Sequence, residues 1–198
     1  MTHFALYPRT DLHFRGLQRA TQLPHRSLQL ELARLERLGL IARMPDGRLV
    51  RYVVPPDEAR WHVLRDMVRQ FVEPTEILRV ALGQVEGVAA AFVYGSFAHR
   101  QEVHADSDID LFVVLSAVDQ EPARLSLADV VLEVSGFLGR EVNVSRYTPA
   151  QLERKLASRS RFVTTVLAGE KEWLIGDERR LRSTLARTAR GKVRAASA

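Results

Sequence analysis

Cysteine is absent from this 198-residue chain, which excludes disulfides and thiolate-held zinc. No apolar run approaches the length of a membrane span, and the opening Met1-Thr2-His3-Phe4 lacks a signal-peptide pattern. A soluble cytoplasmic protein is expected, with no membrane partner. No repeat or low-complexity block stands out, no Ser-His-Asp arrangement is discernible, and no dinucleotide fingerprint occurs. Acid is missing from one end: residues 179–198 carry seven basic residues and no Asp or Glu.

What is present is a hydrophobic fraction of 46%, ample for a packed core, in a chain long enough for one large domain or two small ones. Charge divides the chain. Residues 1–56 hold nine arginines and four acids, whereas residues 57–178 hold thirteen basic and twenty acidic residues. A basic module at the start suggests a polyanion partner.

Residues 14–21 read as a short helix with Leu17 inward, and Pro24 stops it before a second helix over 26–38. Leu28, Leu32, Leu35 and Leu38 recur there at helical spacing, with Gly39 as C-cap. Residues 40–43 and 48–54 read as a β-hairpin around Asp46-Gly47. Helix, turn, helix and basic hairpin resemble the winged helix-turn-helix of ArsR/MarR-like bacterial regulators, and Leu35 to Ile41 matches the ending of that group's second helix. The resemblance implies that the second helix enters the major groove of double-stranded DNA while the hairpin touches the backbone. The solvent face would carry Arg26, Ser27, Gln29, Ala33, Arg34 and Arg37, with Arg and Gln suited to base edges. Arg43, Arg48 and Arg51 on the wing would meet phosphates. The alternative is a winged helix used for protein contacts, its arginines solvated.

Pro55-Pro56 marks a boundary. Residues 57–72 form an amphipathic helix with Trp61, Leu64, Val68 and Phe71 on one face, either a connector or a homodimerisation helix. Another helix follows over 73–84.

Beyond it, the chain places Gly95-Ser96 after an apolar strand (88–94) and Ser107-Asp108-Ile109-Asp110 at the head of a second strand (109–115). Residues two apart on a strand share a face, about 6.6 Å apart along the chain. Asp108 and Asp110 therefore project together from an otherwise apolar strand. Such charge needs compensation, and a hard cation with a phosphate substrate supplies it. The bland reading makes Asp108 a turn cap and Asp110 a strand-end charge.

These residues resemble the signature of the minimal nucleotidyltransferases of the DNA polymerase beta-like superfamily, over about residues 75–178. The resemblance implies that Gly95 and Ser96, joined by Ser107, contact nucleotide phosphates, and that Asp108 and Asp110 hold Mg2+ or Mn2+ for catalysis. ATP is the expected nucleoside triphosphate. Two departures stand out. Gly95-Ser96-Phe97-Ala98-His99 runs into Arg100-Gln101, without the family's second Gly. The family's third carboxylate falls at Asn143, in the strand 141–146, and Asn offers a neutral oxygen but no general base. Glu141 shares Asn143's face and is either its catalytic substitute or a solvated strand-end charge.

A helix over 125–138, a capping box Thr148-Pro149-Ala150-Gln151 opening the next helix, a helix over 162–167, a short strand over 171–176 ending in Gly and a helix over 177–189 complete the pattern. His99 and His104 read as surface residues. Arg159 and Arg161 are either a solvated bend or a counter-charge for triphosphate.

The fold class expected is α+β: a winged helix-turn-helix over 1–56, a connecting or dimerisation helix over 57–72, a nucleotidyltransferase-like mixed sheet with flanking helices over 73–189, and a loose basic tail over 190–198. The expected function is a DNA-binding transcriptional regulator whose second domain binds nucleotide and metal. The alternative is an active enzyme moving a nucleotide from ATP to a small molecule or a protein. A third is an antitoxin partnered with a HEPN-type toxin.

Overall fold

Helical spacing of leucines organises the first half of the chain, and alternating or continuous apolar strands organise the second. The structure, a computed structural model, describes residues 1–7, 12–55, 58–98, 107–116 and 126–196, the side chains of 58 and 188–196 excepted. Two units divide the chain, Met1–Gln84 and Val85–Ala198.

In the first unit, α1 (Thr2–Leu6) leads to β1 (Leu12–His13), α2 (Phe14–Thr21), α3 (His25–Arg37), β2 (Ala42–Asp46), β3 (Leu49–Val53), α4 (Glu58–Phe71) and α5 (Pro74–Leu82). Neither α1 nor β1 is visible in the sequence pattern, because segments this short complete no period. Leu28, Leu32 and Leu35 are buried, together with Leu17 and Ala20 of α2. Leu38, expected to continue that stripe, is 58% exposed. The helix ends before it. Gly39 adopts φ +68°, Leu40 N–H bonds the Leu35 carbonyl, and Ile41 takes the buried position instead.

The hairpin pairs Asp46 with Leu49, leaving a two-residue loop of Gly47-Arg48. The turn therefore sits one residue later than the Asp46-Gly47 reading, with Gly47 at φ +59°. Pro45, which cannot donate to a ladder, lies on β2, an edge strand of the sheet β1-β3-β2. On α4, Leu64 and Val68 are buried, but Phe71 is 75% exposed. Phe71 is the last helical residue, and α1 packs on α4 where Leu64 and Val68 take the inward positions.

In the second unit, β4 (Val88–Tyr94), β5 (Ile109–Leu115), β6 (Val142–Tyr147) and β7 (Glu172–Ile175) form one sheet of order β6-β5-β4-β7. β5 and β6 are parallel, joined through α6 (Leu127–Leu138), and the other pairs are antiparallel. The sheet is mixed, as expected. One face carries Ala90, Phe92, Phe112 and Val114, packed with Leu152 of α7 (Pro149–Ala157), Val163 and Val166 of α8 (Arg161–Ala168) and Leu181 of α9 (Glu178–Ala196). The Phe92 and Phe112 rings stack at 5.0 Å. Alternate residues Ile109, Leu111 and Val113 are fully buried on the opposite face. The capping box at Thr148 and Gln151 forms as the sequence pattern requires. The last helix continues to Ala196, past Gly191, where a loose tail was expected; the surrounding Ala, Arg and Lys residues outweigh the roughly 1 kcal/mol that one helical Gly costs.

Among the described residues, no helix is long and apolar enough to cross a membrane.

Candidate functional site

Strand β4 ends at Tyr94, whose extended backbone (φ −137°, ψ −176°) delivers the chain into a 3-10 turn, Gly95–Phe97. Tyr94 pairs with Asp110 across the antiparallel ladder, so the turn leaves the sheet beside that carboxylate. Gly95 adopts φ +75°, a conformation that L side chains rarely take. A Cβ built there would sit 2.8 Å from Asp110 Oδ2. Glycine is thus required twice, for its backbone angle and for the space. The consequence is that the turn backbone and the Asp110 carboxylate line the same small volume.

Asp110 is half-buried and Asp108 exposed. Burial, and then the negative charge of Asp108, push the Asp110 carboxyl above its ordinary range. The two aspartates therefore interact, as residues two apart along an extended segment should. A divalent cation relieves both causes at once, and Mg2+ commonly takes one or two carboxylates and completes its shell with phosphate and water. On this chemistry the pair fits such a cation. Ser96 is exposed and Ser107 half-buried at the two ends of the segment that links the turn to β5.

In the parallel ladder Asp110 pairs with Asn143, so Tyr94, Asp110 and Asn143 form a row across three strands. Asn143 is exposed and presents an amide where a third carboxylate would be needed for a base. Glu141 is also exposed, and its backbone carbonyl accepts the Ile109 N–H at 2.9 Å. No group of three or more His, Cys, Asp or Glu side chains suited to a metal ion occurs among the described residues. His99, Arg100, Gln101 and His104 lie outside the described residues.

The sequence pattern gave no role to three side chains that border this site. Tyr94 lies in the row itself. Its hydroxyl is 3.3 Å from Ser145 Oγ, and burial is the main cause that raises its phenol's pKa, keeping it neutral. Phe162, near the start of α8, meets the Tyr94 ring edge-on with centroids 6.0 Å apart. Arg140 carries its guanidinium 5.9 Å from the Phe97 ring centroid, so a positive charge lies against the turn. Only an aromatic preceding Gly-Ser hinted at any of these.

In the first unit, Arg26, Ser27, Gln29 and Arg34 are all exposed on α3, as are Arg43 and Arg48 on the hairpin. Leu30, 66% exposed, lies among them. Arg51 differs. Its Nε lies 3.5 Å from Asp46 Oδ2, and the same oxygen is 3.2 Å from His13 Nε2, which ties β1 to the hairpin.

Residues 76–163 match the family model described as Polymerase beta, Nucleotidyltransferase. The matched span includes β4, the Gly95 turn, β5 and β6, and supports the nucleotidyltransferase superfamily for this segment. No curated protein matches the chain. A solved structure described as "Crystal structure of the toxin-antitoxin with AMP-PNP" is similar at 12% identity and a TM-score of 0.37, covering 64% of this chain and 91% of that one.

Proposed function

We propose that the chain is a DNA-binding transcriptional regulator whose nucleotidyltransferase-like unit holds a nucleoside triphosphate, ATP in the simplest case, with Mg2+ or Mn2+. The observation that carries the reading is the approach of Gly95 to Asp110 Oδ2, with a built Cβ only 2.8 Å away. That approach leaves the turn backbone free to meet a phosphate next to two coupled carboxylates. Asp108 and Asp110 would hold the cation, and Ser96 and Ser107 would add hydroxyl donors to the phosphates. Bound there, the cation would neutralise carboxylates and phosphates together.

The DNA-binding part rests on the first unit. Its order of helix, strand, two helices and hairpin, with β1 completing a three-stranded sheet, supports a winged helix-turn-helix. Arg26, Ser27, Gln29 and Arg34 supply the groove-facing set, and Arg43 and Arg48 the backbone contacts. Arg51 is a weaker member, because Asp46 already opposes its charge. The exposed Val63, Met67 and Phe71 of α4 would serve a homodimer on a two-fold operator.

Transfer of a nucleotide from ATP to a small molecule or a protein, including an antitoxin's action on a HEPN-type partner, is the second reading. The paired aspartates favour it. Asn143, in register with Asp110 and unable to act as a base, weighs against it.

Melting curves test the proposal. ATP should raise the melting temperature only when Mg2+ is present, by about 2.7 kcal/mol of stabilisation at a hundredfold excess over Kd, and Asp108→Asn should abolish the effect. A mobility shift on a cognate operator fragment should weaken on Arg26→Ala with Arg34→Ala. Labelled ATP that passes its label to an acceptor would establish transfer instead. No metal-dependent response to ATP would end the nucleotide reading, and an unaltered mobility shift the groove assignment.

A further inference from the structure

We infer that Phe162, with the Tyr94 ring behind it, is the stacking platform for the base of the nucleotide held at the Gly95 turn. The inference rests on the nucleotide reading and adds to it the residue that recognises the nucleoside rather than its phosphates.

Phe162 is 44% exposed, an unusual state for a phenylalanine on a helix that packs against a core. Its neighbours explain why it lies outside the buried core. Val163 and Val166 are the buried residues of α8 and face the sheet, so Phe162 points off that face. What it does touch is Tyr94, edge-on, with centroids 6.0 Å apart and planes at 75°. In an edge-on contact Tyr94 takes at most one face of the Phe162 ring, and much of the residue stays exposed.

Tyr94 is itself held. Its ring packs edge-on against Phe92 and Phe112, and its hydroxyl reaches Ser145. Its backbone pairs with Asp110 and runs straight into Gly95. The exposed ring is thus one contact away from the residue that ties the carboxylate to the phosphate-facing turn. A triphosphate held at the turn would leave its nucleoside for other groups to bind, and Phe162 is an exposed aromatic one ring contact from Tyr94, which leads into that turn. Stacking tolerates any base, since every base has a π-face, so the platform selects nucleotides over bare polyphosphate without choosing among bases.

The test compares ATP with inorganic tripolyphosphate, both with Mg2+, titrated calorimetrically into the full chain. Wild type should bind ATP more tightly. Phe162→Ala should weaken ATP by about 5- to 150-fold and leave tripolyphosphate unchanged. Phe162→Trp should restore ATP binding, which a merely structural role would not require. Equal binding of the two ligands by wild type, or Phe162→Ala that leaves ATP unchanged or weakens both ligands alike, overturns the inference while the phosphate site stands. Binding of neither ligand by wild type overturns both.

Discussion

Replacing Gly95 by alanine probes the contact on which the site depends, and the structure fixes the direction of the result. Two costs add. Alanine at φ +75° is strained by about 1–2 kcal/mol, because its Cβ crowds the following carbonyl. The new methyl also lies 2.8 Å from Asp110 Oδ2, so the carboxylate must swing or the turn must shift. Asp110 is a short side chain held on a ladder between Tyr94 and Asn143, with little freedom to retreat without rotating its oxygens away from the turn. The variant should therefore lose at least roughly 1–2 kcal/mol of stability, about 2–8 °C or more in melting temperature, and also lose the Mg2+-dependent response to ATP. Gly136 in α6 is the matched control. A Cβ there meets nothing within 4 Å, and helical Gly→Ala should be neutral or stabilising by up to about 1 kcal/mol. Differential scanning calorimetry of both variants, with and without Mg-ATP, decides the matter. Gly95→Ala melting like wild type and keeping its Mg-ATP shift would refute the argument that the turn and the carboxylate share one volume.

Three other outcomes are expected, one at Asp110 and two in the first unit. Asp110→Asn should raise the melting temperature of the metal-free protein at neutral pH. The Asp110 carboxyl has its pKa raised on folding, so its ionisation destabilises the native state as pH rises through the carboxylate range; a lower melting temperature at neutral pH would contradict this. His3 behaves oppositely. Burial, and then the nearby N-terminal charge, lower its pKa from 6.5 to about 4. The unfolded chain takes up that proton first, so stability is complete above about pH 6.5 and declines towards pH 4, by up to about 3 kcal/mol. His3→Gln should flatten that part of the pH–stability curve, which urea melts at several pH values would reveal. If the hairpin binds DNA as proposed, replacing Arg43 or Arg48 by Ala should each lower the slope of log K against log salt by about 1, whereas Arg51→Ala should change it less, since Asp46 already opposes that charge.

Local chemistry made much of this protein legible in the linear chain. Strands β4 and β5 fall at the expected residues because seven-residue apolar runs bounded by Gly and polar loops are short for a helix and suited to a buried strand. The helices α2, α3 and α7 follow from leucine spacing, a proline stop and a capping box, which act within a few residues. The nearness of Asp108 to Asp110 was visible for a related reason, since residues two apart along the chain need no distant partner to interact.

Other features depended on residues far apart in the chain, and only the packed structure decided them. Leu38 and Phe71 kept the helical spacing of core residues yet ended outside, because where a helix stops is set by its cap and its neighbours. Glycine at 95 could be read as a phosphate turn, but its approach to the Asp110 oxygen required β4 and β5 to pair in one register. The parallel pairing of β6 with β5 put Asn143 beside Asp110, in the row that Tyr94 begins, and helix packing brought Phe162 against Tyr94. Periodicity and turn chemistry belong to the sequence because they are short-ranged; which side chains share a cavity is a long-range outcome, chosen by burial of the whole sheet.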